Sequence, residues 1–240
     1  MKIHHSLWFL LLPLTISFST PSQAETPELL RHTGGDVAST FGDWPIFILV
    51  GGVIGTSFLL PLDDNVDDYF VNHHVSTKMD KAGKWIGNPL ILAPLSLAAY
   101  GSSFLTNNNE FKMTSETLLE SVIFTEVMTE GLKLTFRRTR PNGGNNSFPS
   151  AHTSTVFDIA SVLQSTQGWT WGVPAYAIAS FVGFSRIDGG NHHLTDVVFG
   201  AVLGSSIGWG TSLFHKKETT NLLISPIFDQ TRGIMVSYKF

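Results

Sequence analysis

Three short stretches of this 240-residue chain concentrate residues able to act on a charged substrate. The first runs from Lys133 through Arg137, Arg138 and Arg140 to Pro141. The second is Phe148-Pro149-Ser150-Ala151-His152-Thr153. The third opens with Ser185-Arg186 and runs through Asp188, Asn191, His192 and His193 to Asp196. Lys133, Arg140 and Arg186 supply three cations, two of them with planar forks that match phosphate oxygens. Lys133 and Arg140 stand seven residues apart, so on one continuous helix both face the same side. Ser150 falls where a helix is expected to open, and free backbone N–H groups at such an end favour an anion. His192 and Asp196 are spaced i, i+4, which places them on one helix face. A carboxylate there can hold one ring nitrogen and leave the other free to attack. The set reads as an oxyanion cradle, a nucleophile with its orienting acid, and a second histidine, His152, for proton transfer.

Taken singly, each residue has a plainer role. The basic cluster could close a helix C-terminus, Ser150 could be a cap, and the His192/Asp196 pair could be structural. Order and spacing together argue for chemistry. The three segments resemble the signature of the type 2 phosphatidic acid phosphatase superfamily, which also includes bacterial class A acid phosphatases and vanadium haloperoxidases. The family pattern is Lys, six residues, Arg-Pro; then Pro-Ser-Gly-His; then Ser-Arg, five residues, His, three residues, Asp. Lys133 to Pro141, Pro149 to His152 and Ser185 to Asp196 follow it in order and internal spacing. Ala151 replaces the usual Gly and keeps the backbone N–H.

The resemblance implies that Lys133, Arg140 and Arg186 bind phosphoryl oxygens, with Ser150 and the Ala151 N–H adding hydrogen bonds. It implies that His192 attacks phosphorus and carries a phosphohistidine, that Asp196 orients His192, and that His152 protonates the leaving group and then activates water. No metal or cofactor is implied, since three fixed cations can do the charge stabilisation that Mg²⁺ does elsewhere. His193 is expected to point away, and Arg137, Arg138, Asp188 and Asn191 lie near without an assigned role.

The elements that must position these residues read as helices. Residues 1–24 have the pattern of a secretory signal, with Lys2, an apolar run from Leu7 to Phe18, and a small-residue end at Ala24. Residues 25–43 read as a loose lead-in, 44–217 as the helical domain, and 218–240 as a β tail in which Ile234, Val236, Tyr238 and Phe240 alternate. Trp44–Leu62 is uncharged and long enough to span a bilayer, and the uncharged Trp85–Asn109 reads as a second helix, buried or spanning, entered at Pro89 and kinked near Pro94. The Asp-rich run from Asp63 to Asp68 reads as a solvated turn and helix start, and 75–84 as a lysine-bearing loop. Apolar spacing predicts a helix over 114–137, capped at Thr114 or Ser115, then helices over 150–164, 169–185 and 192–214. The expected fold is all-α, a bundle with the site at one end, plus a small C-terminal β-hairpin.

Composition bounds the function. There is no Cys, which excludes disulfides and thiolate chemistry. Net charge is −4 and basic residues are scattered outside the one cluster, which argues against a nucleic-acid partner. With 42% hydrophobic and 14% charged residues, the chain is more apolar than an ordinary soluble domain. The expected activity is metal-independent hydrolysis of a phosphomonoester or diphosphate, with a phosphorylated membrane lipid as substrate, in the bacterial cell envelope facing the periplasm. The rivals are a soluble periplasmic acid phosphatase, a vanadium haloperoxidase and a non-catalytic lipid-binding protein. If 44–62, 85–109 and 114–137 all crossed a membrane after export, the motifs would face the cytoplasm. One of these segments is therefore expected not to span, or the whole chain packs on the envelope side.

Overall fold

The computed structural model describes residues 28–219, 222–228 and 232–238. The expected signal segment lies outside these. The described chain forms α1 (Glu28–Gly42), α2 (Pro45–Leu59), a 3-10 turn (Leu60–Leu62), α3 (Asp63–Asn72), α4 (Thr77–Ile86), α5 (Pro89–Ser103), α6 (Asn109–Phe136), α7 (Ala151–Gln167), α8 (Trp169–Asp188) and α9 (Leu194–Thr219). The architecture is a helical bundle. Beyond α9, segments β1 (Leu222–Phe228) and β2 (Arg232–Tyr238) pair antiparallel, from Leu222 opposite Tyr238 to Phe228 opposite Arg232.

α9 is the hub, packed against α1, α2, α6 and α7. Its approach to α7 rests on Gly200, Gly204 and Gly208, spaced one helical turn apart. A Cβ at these positions would stand 2.8 Å from Ser150 O, 2.0 Å from Ser154 O and 2.6 Å from Asp158 O. Only residues without a side chain let the two backbones come this close.

The burial pattern is inverted relative to a water-soluble core. Thr117, Ser121, Thr125 and Thr129 form a fully buried stripe along α6. Phe58, Leu90, Leu105 and Trp169 are all more than 70% exposed. Small and hydroxyl residues between helices, with large apolar side chains outside, suit a hydrocarbon surrounding. Among the described residues, two helical stretches are long and apolar enough to cross a membrane, Pro45–Asn72 and Leu194–Lys217. The 85–109 run contributes only the 15-residue α5, about 22 Å long and short of a bilayer core.

Three expectations are corrected. The lead-in at 25–43 contains a helix, α1, held by His32, Asp36, Ser39 and Thr40 facing inward. The loop at 75–84 is mostly α4, whose Met79, Ala82 and Gly83 are turned inward to different degrees between the lysines. α6 starts at Asn109 and is capped by Asn108, whose side chain accepts the Phe111 N–H at 3.0 Å; Thr114 and Ser115 are buried helix interior. Asn108 satisfies an early orphan donor, so the helix gains more than a turn before the apolar periodicity begins.

Candidate active site

The C-terminal ends of α6 and α8 meet the N-terminal ends of α7 and α9, and the three motifs lie at that end. The joining loops are tied to one another: Asn142 N–H donates to Gly190 O at 3.1 Å and Ser150 N–H to Asp196 O at 3.0 Å. α6 stops because Arg137 adopts the left-handed conformation (φ 46°), its N–H closing on Lys133 O at 2.9 Å. Lys133 therefore sits on the last helical turn while Arg140 lies in the loop. The expected shared helix face does not exist; a loop turn, Arg140 N–H to Gly144 O at 2.7 Å, sets Arg140 instead.

His192 likewise precedes α9 rather than lying on it. Its N–H and that of Asn191 both donate to Arg186 O, at 3.2 and 3.0 Å, which folds the turn back on α8. The ring still faces Asp196, with Nδ1 3.6 Å from Oδ2. Ser147 Oγ donates to the same carboxylate oxygen and lies 3.5 Å from His192 Nδ1. Among the described residues, His192 Nε2 has no hydrogen-bond partner, so one ring nitrogen faces Ser147 and the acid and the other is left available.

Arg186 is 2% exposed. Its Nη2 bonds Asp80 Oδ1 at 2.7 Å, and Asn191 Nδ2 bonds the same oxygen at 2.9 Å. α4 can deliver Asp80 because Gly83 lies against Ser185: a Cβ there would be 1.8 Å from the Ser185 hydroxyl. The same helix brings Lys84 O to within 3.2 Å of His152 Nε2. A carbonyl only accepts, so Nε2 carries the proton and Nδ1 is the basic nitrogen of the neutral ring.

Ser150 precedes α7 in extended geometry but does not cap it; its Oγ accepts from Thr153 Oγ1 at 3.0 Å. The next three backbone N–H groups, of Ala151, His152 and Thr153, carry no hydrogen bond among the described residues. They form a ready anion site at the start of a 17-residue helix. Lys133 Nζ bonds Glu130 Oε1 at 2.7 Å, and Arg140 Nε bonds Asn145 O at 3.0 Å.

These groups sense one another. Burial, opposed by Asp196 and helped by the charges of Arg140 and Lys133, lowers the His192 pKa from its ordinary 6.5. Burial, then Arg186 and His192, brings His152 down to about 3. Burial also lowers Arg186, against the pull of Asp80, with Arg140 adding to the lowering. Both imidazoles are thus neutral in the empty site at physiological pH, and mutual repulsion among the cations favours an incoming anion.

Several residues of this site escape the motif reading. Arg138 donates to Asp196 Oδ1 at 2.8 Å, to Thr195 Oγ1 at 2.7 Å and to Asp63 Oδ2 at 2.7 Å. Asp63 also accepts the Thr195 N–H at 3.0 Å. The acidic run does start a helix, but Asp63 is buried, and Asp67 Oδ2 lies 2.6 Å from His193 Nδ1. Asp188 accepts the Val75 N–H at 2.7 Å and anchors the approach to α4. These partners lie 57 to 132 residues apart in sequence, beyond any local pattern. Arg138, Asp188 and Thr195 lie inside the motif stretches and Ser147 just before one, but the partners that give them a role lie in other segments.

The profile of the PAP2 superfamily matches residues 117–220, which enclose all three motifs. This stretch of the chain thus carries the PAP2 superfamily pattern. A lipid A 1-phosphatase from Porphyromonas gingivalis is 31% identical over 169 residues, 66% of this chain and 37% of that protein. The bacitracin transport permease protein BcrC of Bacillus licheniformis is 44% identical over 63 residues, 25% of this chain and 29% of that one. The chain thus spans little more than a third of the first relative's length and less of the second's. Among solved structures, LpxE from Aquifex aeolicus gives a TM-score of 0.53 at 23% identity, covering 65% of this chain and 95% of that one. A transmembrane PAP2 type phosphatidylglycerolphosphate phosphatase from Bacillus subtilis gives 0.55 at 19%, covering 72% and 96%. These likenesses show the PAP2 helical fold. Segments β1 and β2 lie outside the residues that the PAP2 profile matches.

Proposed function

We propose that this protein is a metal-independent phosphatase that removes phosphate from a membrane lipid, a phosphomonoester or a diphosphate, through a phosphohistidine at His192. The observation that carries this reading is the His192 ring: Nδ1 faces Asp196 and Ser147, and Nε2 has no partner among the described residues. In the first step the Nε2 lone pair forms the N–P bond and the bond from phosphorus to the leaving oxygen breaks. His152 gives its proton to that oxygen. The developing imidazolium shares its Nδ1–H with Asp196, and Lys133, Arg140, Arg186 and the α7 amides take the equatorial oxygens. In the second step His152 takes a proton from water, the water oxygen bonds phosphorus, the N–P bond breaks, and phosphate leaves. A bound phosphate offsets the positive charges that depress His152, which lets the ring load the proton it must donate.

A lipid substrate is supported by an apolar groove of about 560 Å³ beside the site. It is lined by Val53, Leu60, Leu132, Phe136, Phe148 and Phe199, with Arg138 at its charged edge. The outward apolar faces of α2, α5 and α8 support a membrane setting, and the pattern of residues 1–24 supports export to the periplasm-facing side. The name of the P. gingivalis relative makes a lipid A 1-phosphate the first substrate to try. The other substrates to try are phosphatidylglycerophosphate, phosphatidate and undecaprenyl diphosphate. The test is phosphate release from these lipids and from soluble phosphate esters, by wild type and His192→Ala side by side. The reading expects release from a lipid phosphate that disappears in the folded variant; equal turnover by both would reject it.

A further inference from the structure

Far from the phosphate site, α1, α6 and α9 enclose a second cluster of titratable groups that the proposed reaction does not use. His32 Nδ1 lies 3.1 Å from Glu120 Oε1, and His215 Nε2 lies 2.8 Å from Glu120 Oε2. One ligand atom from each of these three residues falls within 4.8 Å of the others, and all three residues are buried. Asp36, one turn after His32 on α1, is 2% exposed. It stands within side-chain hydrogen-bonding reach of Glu120, and its Oδ1 has no partner among the described residues.

We propose that His32, Asp36, Glu120 and His215 bind a divalent transition-metal ion, with zinc as the best fit. Two imidazoles and two carboxylates are the donor set zinc accepts, and its tetrahedral ligand atoms sit roughly 3.3 Å apart, close to the separations already present. Charge points the same way. Two carboxylates at contact in a dehydrated interior need a shared proton or a cation between them, and one dication with two neutral imidazoles brings the ionised set to zero. The surroundings are built to hold the set. Phe214 packs edge-on against both rings, and a Cβ at Gly35 would stand 2.1 Å from the Phe214 ring, so α1 approaches α9 closely only because that residue is glycine.

His215 lies nineteen positions beyond Asp196 along α9, roughly 28 Å of helix. The ion therefore takes no part in phosphoryl chemistry. It acts as a clasp fastening α1, the first described helix, to the two long helices α6 and α9.

The test uses the full chain in detergent, stripped with chelator and then titrated with zinc chloride, reading bound metal and thermal unfolding. The expected results are one zinc per chain and a melting temperature raised by roughly 5–10 °C at a hundredfold excess over the dissociation constant. His215→Ala and the near-isosteric Glu120→Gln should each weaken zinc binding at least tenfold, while phosphate release by the variants stays at the stripped wild-type level. Stripped wild type that neither takes up stoichiometric zinc nor melts higher with it would overturn the proposal, whether or not the variants fold. Uptake unchanged in a folded Glu120→Gln would overturn it equally.

Discussion

Replacing Gly204 by alanine tests whether helix packing sets the catalytic geometry. The added Cβ would sit 2.0 Å from Ser154 O, whereas real Cβ contacts do not fall below 3.0 Å, so α7 and α9 must part by at least about 1 Å. The obstacle is backbone and cannot rotate away. Overpacking of this kind costs about 1–3 kcal/mol. α7 carries His152 and follows directly on Ser150, and α9 carries Asp196, so the same movement separates the proton-transfer ring from the nucleophile's orienting acid. A misplacement of about 1 Å can cost on the order of 100-fold in rate. Gly204→Ala should therefore lower kcat for phosphate release by about that factor and lower the melting temperature by several degrees. Gly101→Ala is the control: it is the same exchange in α5, where nothing lies within 4 Å of the added carbon. It should leave activity unchanged and stability equal or slightly raised. A Gly204→Ala protein with wild-type kcat and melting temperature would refute the reasoning.

Further predictions concern the site itself. Arg138→Met leaves Asp63 and Asp196 buried without their shared cation and should destabilise the fold by about 3–5 kcal/mol; adding Asp63→Asn should recover part of this in a double-mutant cycle on thermal unfolding. His152 has its pKa lowered from 6.5 to about 3 on folding. Between those values the unfolded chain binds a proton that the folded chain refuses, so stability falls as pH falls, by about 1.4 kcal/mol per pH unit from this ring. His152→Gln should flatten that part of the stability profile and also abolish turnover, which paired pH-dependent unfolding and phosphate-release measurements would check. Ser57 also lines the apolar groove, and Ser57→Trp would fill it and should raise KM for a long-chain lipid phosphate roughly tenfold, about 1.4 kcal/mol of lost apolar contact. Its turnover of a small soluble phosphate should be unchanged; an equal effect on both substrates would remove the groove from substrate binding.

How much of this could be read from residues alone depended on distance along the chain. The cations, the two histidines and Asp196 fall in short segments whose spacing is visible directly, and the structure gathers them at one end of the bundle. The local geometry assumed for them was less secure. Arg137 turns left-handed and takes Arg140 off the helix, while His192 precedes α9, so two arguments from a shared helix face fail although the groups still converge. α4 went unrecognised because Lys78, Lys81 and Lys84 mask a short apolar stripe, yet that helix holds Arg186 through Asp80. The clamp of Asp63, Arg138 and Thr195 had no local signal, because its members are brought together only by the packing of α3 on α9. Buried threonines and serines in α6 and α7 read as polar surface in sequence. They become legible as interior only once the large apolar residues are seen to face outward.

The most direct measurement is acid-free rapid quenching of the protein during turnover of a lipid phosphate, followed by peptide mass spectrometry. The account predicts a phosphoryl group on His192, stable in alkali and lost in acid, which accumulates in His152→Gln on a lipid diphosphate, whose phosphate leaving group departs without a proton, and is absent from His192→Ala. Turnover with no phosphohistidine in either wild type or His152→Gln, or phosphate carried on another residue, would contradict it.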